Sequence, residues 1–237
     1  MIVPMIHHWL RRDDLARLVA EIAAADPASA RAAAAMLECG QVDSLLDLPG
    51  ALDAVRGRGG PPGRLPITLL WYVPIRAILR RRGQADIDLA DLTATIPVAF
   101  VSTKSAQRFG LGDPALTRWN ESIAALRSGT VVQGERAAYC AALALWWAGC
   151  FPERISRQGG HGMLRAYVDF AAASFERAAR ILLESAPAAA RVYGRAAEQT
   201  SLLCVALADT RSTYLGSSAA TARDRLWQWL QRLEDGE

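Results

Sequence analysis

A catalytic site needs a nucleophile, a proton carrier or a metal cage, and this chain carries few residues that could supply one. Its histidines are His7, His8 and His161, its single lysine is Lys104, and its cysteines are Cys39, Cys140, Cys150 and Cys204. A carboxylate-bridged di-iron site requires two Glu-x-x-His pairs, and no Glu stands three residues before any histidine. The H-E-x-x-H zinc helix fails for want of its two spaced histidines. Lys104 lacks the glycine frame of a phosphate-binding loop, Gly57, Gly59, Gly60 and Gly63 do not fit a dinucleotide fingerprint, and no Gly-x-Ser-x-Gly elbow occurs. Glu198 and Asp209 fall on one helical face, but eleven residues of rise separate them by about 16 Å, too far for paired acid–base work on a glycoside. No catalytic residue is assigned, and no cofactor or metal is expected.

A few constellations remain. Asp86, Asp88 and Asp91 resemble a magnesium-type acidic cluster, yet Asp88 stands where a helix cap belongs, so capping and first-turn charge are the expected roles. His7 and His8 could chelate from an N-terminal arm, with nothing else at ligand spacing to complete a site. His161 lies in Gly159-Gly160-His161-Gly162 ahead of a helix, where backbone amides could cradle an anion and His161 could donate a proton. A plain glycine connector is the simpler reading. Tyr72 and Arg76, four apart, share a helical face beside Trp71. Pro74 between them removes a backbone bond and is expected to kink or split the helix, as pocket-lining helices often do. Trp71, Tyr72 and Arg76 are therefore the expected recognition surface, with core packing as the plainer alternative for the aromatics. The turn Phe151 to Arg154, with Glu153, is the second candidate wall.

The elements that must position these groups read as helices throughout. Asp13 or Asp14 starts a helix to about Ala25, and Asp26-Pro27 restarts one that Gly40 ends. Short helices follow near Asp43 to Asp47 and Pro49 to Arg56. Gly57 to Arg64 is a loop and the expected boundary between an N-terminal helical extension, residues 1–60, and a main domain, residues 61–237. Pro66 opens an apolar helix closed by Arg80, Arg81, Arg82 and Gly83. Asp88 and Asp113 cap two more, and Pro97 bends or ends the first of these. Ala137 to Pro152 is uncharged, too short for the roughly 20 residues of a membrane span, and is read as a central helix about Glu135 to Gly149 with neighbours on every side. A loop through Gly162 precedes a long helix with an apolar stripe at Leu164, Tyr167, Val168, Ala171, Phe175, Ala178, Ala179 and Leu182. Pro187 opens one running to about Tyr214, and Ser217 or Ser218 caps the last. There Leu226, Trp229, Leu230 and Leu233 form the apolar face, and Trp227 points away from it toward a partner or a second copy. No alternating β-branched run is long enough for a sheet. The expected fold is all-α, an irregular multi-helix bundle around a buried central helix.

Two stretches, Leu65-Pro66-Ile67-Thr68-Leu69-Leu70-Trp71-Tyr72-Val73-Pro74-Ile75-Arg76 and Ala148-Gly149-Cys150-Phe151-Pro152-Glu153-Arg154-Ile155, together with Tyr167, resemble an uncharacterised bacterial all-helical family. Its members share a "Leu-Pro … Trp-Tyr-Val … Arg" helix and a "Gly-x-Phe-Pro-x-Arg-Ile" turn. The resemblance covers residues 65 to 185. Pro74 departs from the apolar residue expected there. The likeness implies a helical fold and no activity.

Composition bounds the rest. With 237 residues, 51% hydrophobic and 22% charged, the chain can bury a core without disulfides or metals. The net charge is only +3, and the positive charge is almost all arginine, 26 against one lysine, which reads as compositional bias. The bases around Arg56, Arg58, Arg64 and Arg80 to Arg82 are interspersed with acids, so nucleic-acid binding ranks last. No secretory start precedes the first helix and no C-x-x-C occurs, so buried free thiols in the cytoplasm are expected. The leading functional expectation is a non-catalytic cytosolic interaction or scaffold protein with a protein partner or self-association. The alternative is a helical domain that binds a small molecule between helices near Trp71, Arg76 and Phe151 to Arg154.

Overall fold

A computed structural model describes residues 6–57, 65–101 and 131–215. The expected boundary loop, the Asp113 cap, Lys104 and the last helix with Trp227 lie outside them. Among the described residues every regular element is a helix, and none is long and apolar enough to cross a membrane. The chain divides into two compact units. Of the described residues, one unit comprises 6–57, 65–94 and 210–215, the other 95–101 and 131–209. They part between Ala94 and Thr95, and residues 6–57 fall in the same unit as the apolar helix that begins at Ile67.

The first unit holds α1 (Ile6–Trp9), α2 (Arg12–Ala25), α3 (Pro27–Glu38), α4 (Val42–Leu46), α5 (Pro49–Val55), α6 (Ile67–Arg81) and the start of α7 (Ile87–Val101). Local signals set most of these ends. Asp14 accepts the Arg11 N–H at 3.1 Å, so Arg11 rather than Asp13 or Asp14 is the N-cap, and Asp14 answers it from the first turn. Asp26 caps α3 through the Ala28 N–H at 3.1 Å, with Pro27 at the first helical position. Gly40 (φ 68°) and Gly83 (φ 80°) take the left-handed turn that lets the next N–H reach back, Gln41 to Met36 O at 2.8 Å and Gln84 to Leu79 O at 2.9 Å. Asp86, not Asp88, caps α7, accepting the Leu89 N–H at 3.2 Å. The helix starts two residues earlier than expected, which moves the cap and leaves Asp88 in the first turn.

Packing follows the apolar spacing. Leu15, Leu18 and Ile22 of α2 are buried, and α2 packs on α3 and α5. α5 packs on α4 and α6, α4 on α3, and α1 on α6. α6 is buried from Leu69 to Ile78 apart from Ala77, so the middle of the helix is enclosed rather than one-sided. It runs through Pro74 unbroken, and α7 through Pro97, because packing on both sides of a missing backbone bond outweighs its loss.

The second unit holds α8 (Val131–Cys150), α9 (Pro152–Leu182), α10 (Pro187–Glu198) and most of α11 (Thr200–Leu215). α8 is the expected central helix, buried at consecutive positions Ala137 to Ala142 and again Ala144 to Ala148. Consecutive burial means cover on every side of the helix. α9 packs on α8 and α10, and its stripe is buried at Tyr167, Ala171, Phe175, Ala178 and Leu182. Its outer face carries the expected ion pairs Arg165–Asp169 at 3.7 Å and Glu176–Arg180 at 3.8 Å. A Cβ on Gly149 would stand 2.6 Å from Leu207 Cβ and 3.2 Å from Cys204 O, so α8 and α11 cross where only glycine fits.

Two expectations fail here. Gly159 to Gly162 is helix, not loop: α9 begins at Pro152 and runs through it. Glycine costs a helix about 1 kcal/mol per residue relative to alanine, a local penalty that packing of the flanking turns against α8 overrides. The helix from Pro187 does not reach Tyr214 in one piece. It parts at Gln199, where the Thr200 hydroxyl donates to Ala196 O at 2.7 Å and Ala197 O at 3.0 Å, drawing carbonyls away from the backbone ladder.

Candidate functional site

The first unit gathers its charge around Arg76. α6 presents Tyr72, Arg76 and Arg80 at steps of four, one side of the helix. Facing it, α4 and its C-cap present Asp43 and Asp47, also four apart. Arg76 Nε and Nη2 donate side-on to the two oxygens of Asp47 at 2.5 and 2.9 Å. Arg76 Nη1 donates to Asp43 Oδ1 at 2.7 Å and to the Tyr72 hydroxyl at 3.2 Å. The planar guanidinium fork suits this set as a lysine would not. His7 Nε2 donates to the same Asp43 oxygen at 3.1 Å, and its ring meets Tyr72 edge-on at 6.0 Å. Arg80 Nη1 reaches Asp47 Oδ1 at 2.8 Å. Behind them Asp91, only 5% exposed, accepts the Ile6 N–H at 2.6 Å, tying α1 to α7.

Electrostatics explains why the arginine can be buried. Its side chain is 6% exposed, against 48% for Asp43 and 23% for Asp47. Burial works to lower the guanidinium pKa, but Asp47 and Tyr72 more than compensate and hold it firmly charged. Burial pushes the Tyr72 phenol well above its ordinary value, so it stays protonated. Asp43 goes the other way: burial works to raise it, and the bonds from His7 and Arg76 together with the arginine charge outweigh that and hold it low. A carboxyl whose folded pKa lies below its unfolded value near 3.8 stabilises the fold above that pH and loses the contribution as pH falls through the folded pKa. Urea midpoints across the acid range are therefore expected to fall more steeply for the wild type than for Asp43→Asn; parallel profiles would remove Asp43 from the account.

Beside the cluster lies a pocket of about 290 Å³ lined by Asp47, Arg76, Leu79, Arg80, Gln84, Ala85, Asp86, Ile87 and Ala90. It sits between the C-terminal turn of α6 and the first turn of α7, so the left-handed turn at Gly83 shapes it. Arg80, half exposed, and Ile87, 39% exposed, reach its open side.

The sequence-derived residues separate accordingly. Tyr72 and Arg76 come together as their spacing required. Trp71 and Tyr72 are 1% and 0% exposed, so the aromatics serve the core and offer no surface. Glu153 and Arg154 belong to the other unit, at the start of α9, where the exposed Arg154 guanidinium lies 5.0 Å from the Trp147 ring centre. The backbone of His161 is helical, which removes the glycine cradle proposed for it. Trp227 is outside the described residues. Sequence reasoning passed over Asp43 and Asp47 and read Arg80 only as a helix-end charge and a nucleic-acid candidate, although Asp43/Asp47 and Arg76/Arg80 are matched four-residue spacings.

Other reactive groups are quiet. Cys140 and Cys150 are buried as expected, whereas Cys39 is exposed, sitting at the C-cap of α3. Burial pushes the Cys204 thiol up to about 11, away from thiolate chemistry. No family model, curated protein or solved structure matches the chain.

Proposed function

We propose that the first unit is a non-catalytic small-molecule-binding domain whose site is the pocket between the ends of α6 and α7. The observation that carries this reading is the convergence of Arg80, Asp47 and Asp86 with the apolar Leu79, Ile87 and Ala90 around one concavity. A few polar groups on an apolar ground are what ligand sites ordinarily present. Binding rather than chemistry fits the neighbouring groups. Arg76 is spent on Asp43, Asp47 and Tyr72, and the Tyr72 proton is held tightly, so neither is poised to transfer a proton. Membership of the bacterial helical family and a cytoplasmic setting belong to the same proposal.

Native mass spectrometry of the full chain, after incubation with a small-molecule extract of cells, tests it. A bound mass is expected on the wild type and not on Ala85→Trp, whose indole would fill the pocket from its exposed rim. No bound mass, or one that survives in Ala85→Trp, would overturn the reading. A second reading, an interaction or scaffold protein that binds a protein partner or a second copy, is favoured by Trp9, which closes α1 with 39% of its surface exposed. Under it, sedimentation would shift toward monomer in Trp9→Ser or Trp227→Ala.

A further inference from the structure

Which polar groups of the pocket are already spent decides what it can hold. Its charged lining residues are Asp47, Arg76, Arg80 and Asp86. Arg76 turns its donors inward to Asp43, Asp47 and Tyr72. Asp47 accepts from both arginines. Asp86 caps α7 through the Leu89 N–H and is engaged beyond that bond. Its charge also stands at the positive end of the α7 dipole, which partly offsets it. These three residues are committed. Arg80 gives a single Nη to Asp47 and is half exposed, so the rest of its planar fork is open. Gln84 spends its backbone N–H on Leu79 O, and among the described residues its carboxamide has no partner.

The unspent charge is therefore positive, and a carboxamide that can donate lies beside it. A guanidinium fork with open N–H groups matches the oxygens of a carboxylate, and the Gln84 amide can add a further bond. A cation would meet the Arg80 charge, with both carboxylates of the lining already engaged. The four formal charges of the lining cancel, so one incoming negative charge faces no net negative wall, and one open fork answers one such charge. The remaining lining is aliphatic: Leu79, Ala85, Ile87 and Ala90. The volume of about 290 Å³ falls just under the roughly 300 to 1,000 Å³ typical of drug-sized ligands, which calls for a compact occupant.

We infer that the pocket takes a small aliphatic monocarboxylate, its charged end on Arg80 and Gln84 and its chain on the aliphatic lining. This rests on the pocket being a ligand site, as proposed above.

Titration calorimetry of the full chain can separate the two claims. The probes are 4-methylpentanoate, 4-methylpentanamide, which keeps the shape without the charge, and isopentylamine, which reverses it. The carboxylate is expected to bind saturably, and the amide and the amine about 10- to 100-fold more weakly, the value of one charge-assisted hydrogen bond. Arg80→Gln should bring the carboxylate down to the affinity of the amide, and Gln84→Leu should weaken it about 10-fold. Circular dichroism of both variants should match the wild type, since neither side chain is buried. An amide or amine that binds as well as the carboxylate, with Ala85→Trp blocking it, overturns the monocarboxylate and leaves the ligand site standing. Carboxylate binding that Arg80→Gln leaves unchanged overturns it as well. Absence of binding by all three probes also overturns it, and the ligand site falls with it only if native mass spectrometry finds no pocket-dependent mass.

Discussion

Arg76→Ala is expected to cost about 3 to 5 kcal/mol of folding stability, the size seen when one member of a buried ion pair is removed. The cost comes less from the lost attraction than from what is left behind. Asp47 would lose both of its Arg76 bonds, Asp43 would keep only His7, and the Tyr72 hydroxyl would lose its 3.2 Å donor in surroundings that are fully buried. Arg76→Lys should recover only part, since an ammonium cannot span Asp47 side-on and still reach Asp43. Arg80→Gln is the internal control. Its partner is the same Asp47, but the side chain is half exposed, so the loss should stay within about 1 kcal/mol. Urea unfolding followed at 222 nm checks all three. If Arg76→Ala falls within the Arg80→Gln range, the cluster does not hold α4 to α6 and the pocket's rigid wall goes with it.

The same cluster shows where reading the chain alone stops. Helix identity was legible almost everywhere, because caps such as Asp26, terminators such as Gly40 and Gly83, and the stripe from Leu164 to Leu182 are local signals. Tyr72 with Arg76 was legible too, since four residues on a helix is a fixed distance. Asp43 and Asp47 were not, because they meet Arg76 across 33 and 29 residues of sequence. Nothing in either segment states that α4 comes to face α6; it is carried there by α5, which packs on both. Local penalties misled in the opposite sense. Three glycines around His161 read as a connector, yet they lie inside α9, where neighbouring turns are anchored by Ile155 and Tyr167. Pro74 read as a kink or a split, and the helix continues through it, buried from Leu69 to Ile78 apart from Ala77. The pocket is one step further from the sequence. It exists because a left-handed turn at Gly83 brings the end of one helix beside the start of the next, and its lining mixes residues that look like ordinary end-of-helix charges.

Trp146→Ala and Trp147→Ala are each expected to destabilise the second unit by about 3 to 5 kcal/mol, the usual range for emptying a large aromatic from a core. Adjacent residues on a helix point about 100° apart, so a one-sided helix would bury one tryptophan and expose the other. Both are buried, at 6% and 9% exposure. They also have separate company. Trp146 stacks on Phe100 at 6.3 Å and meets Phe151 edge-on at 5.4 Å. Trp147 tilts against Phe151 at 5.0 Å and carries the Arg154 guanidinium 5.0 Å from its ring centre. Phe151 touches both, so the two losses should be less than additive in the double variant, which removes its neighbours together. Arg154→Ala separates the exposed contribution, expected at about 0.5 to 1 kcal/mol for a cation over an indole face near solvent. Circular dichroism in guanidinium is the suitable readout, because fluorescence changes with the substitution itself. Should one tryptophan variant unfold with the wild type and the other not, α8 would be covered on one side only, and its unbroken run of apolar residues would need some explanation other than burial among helices.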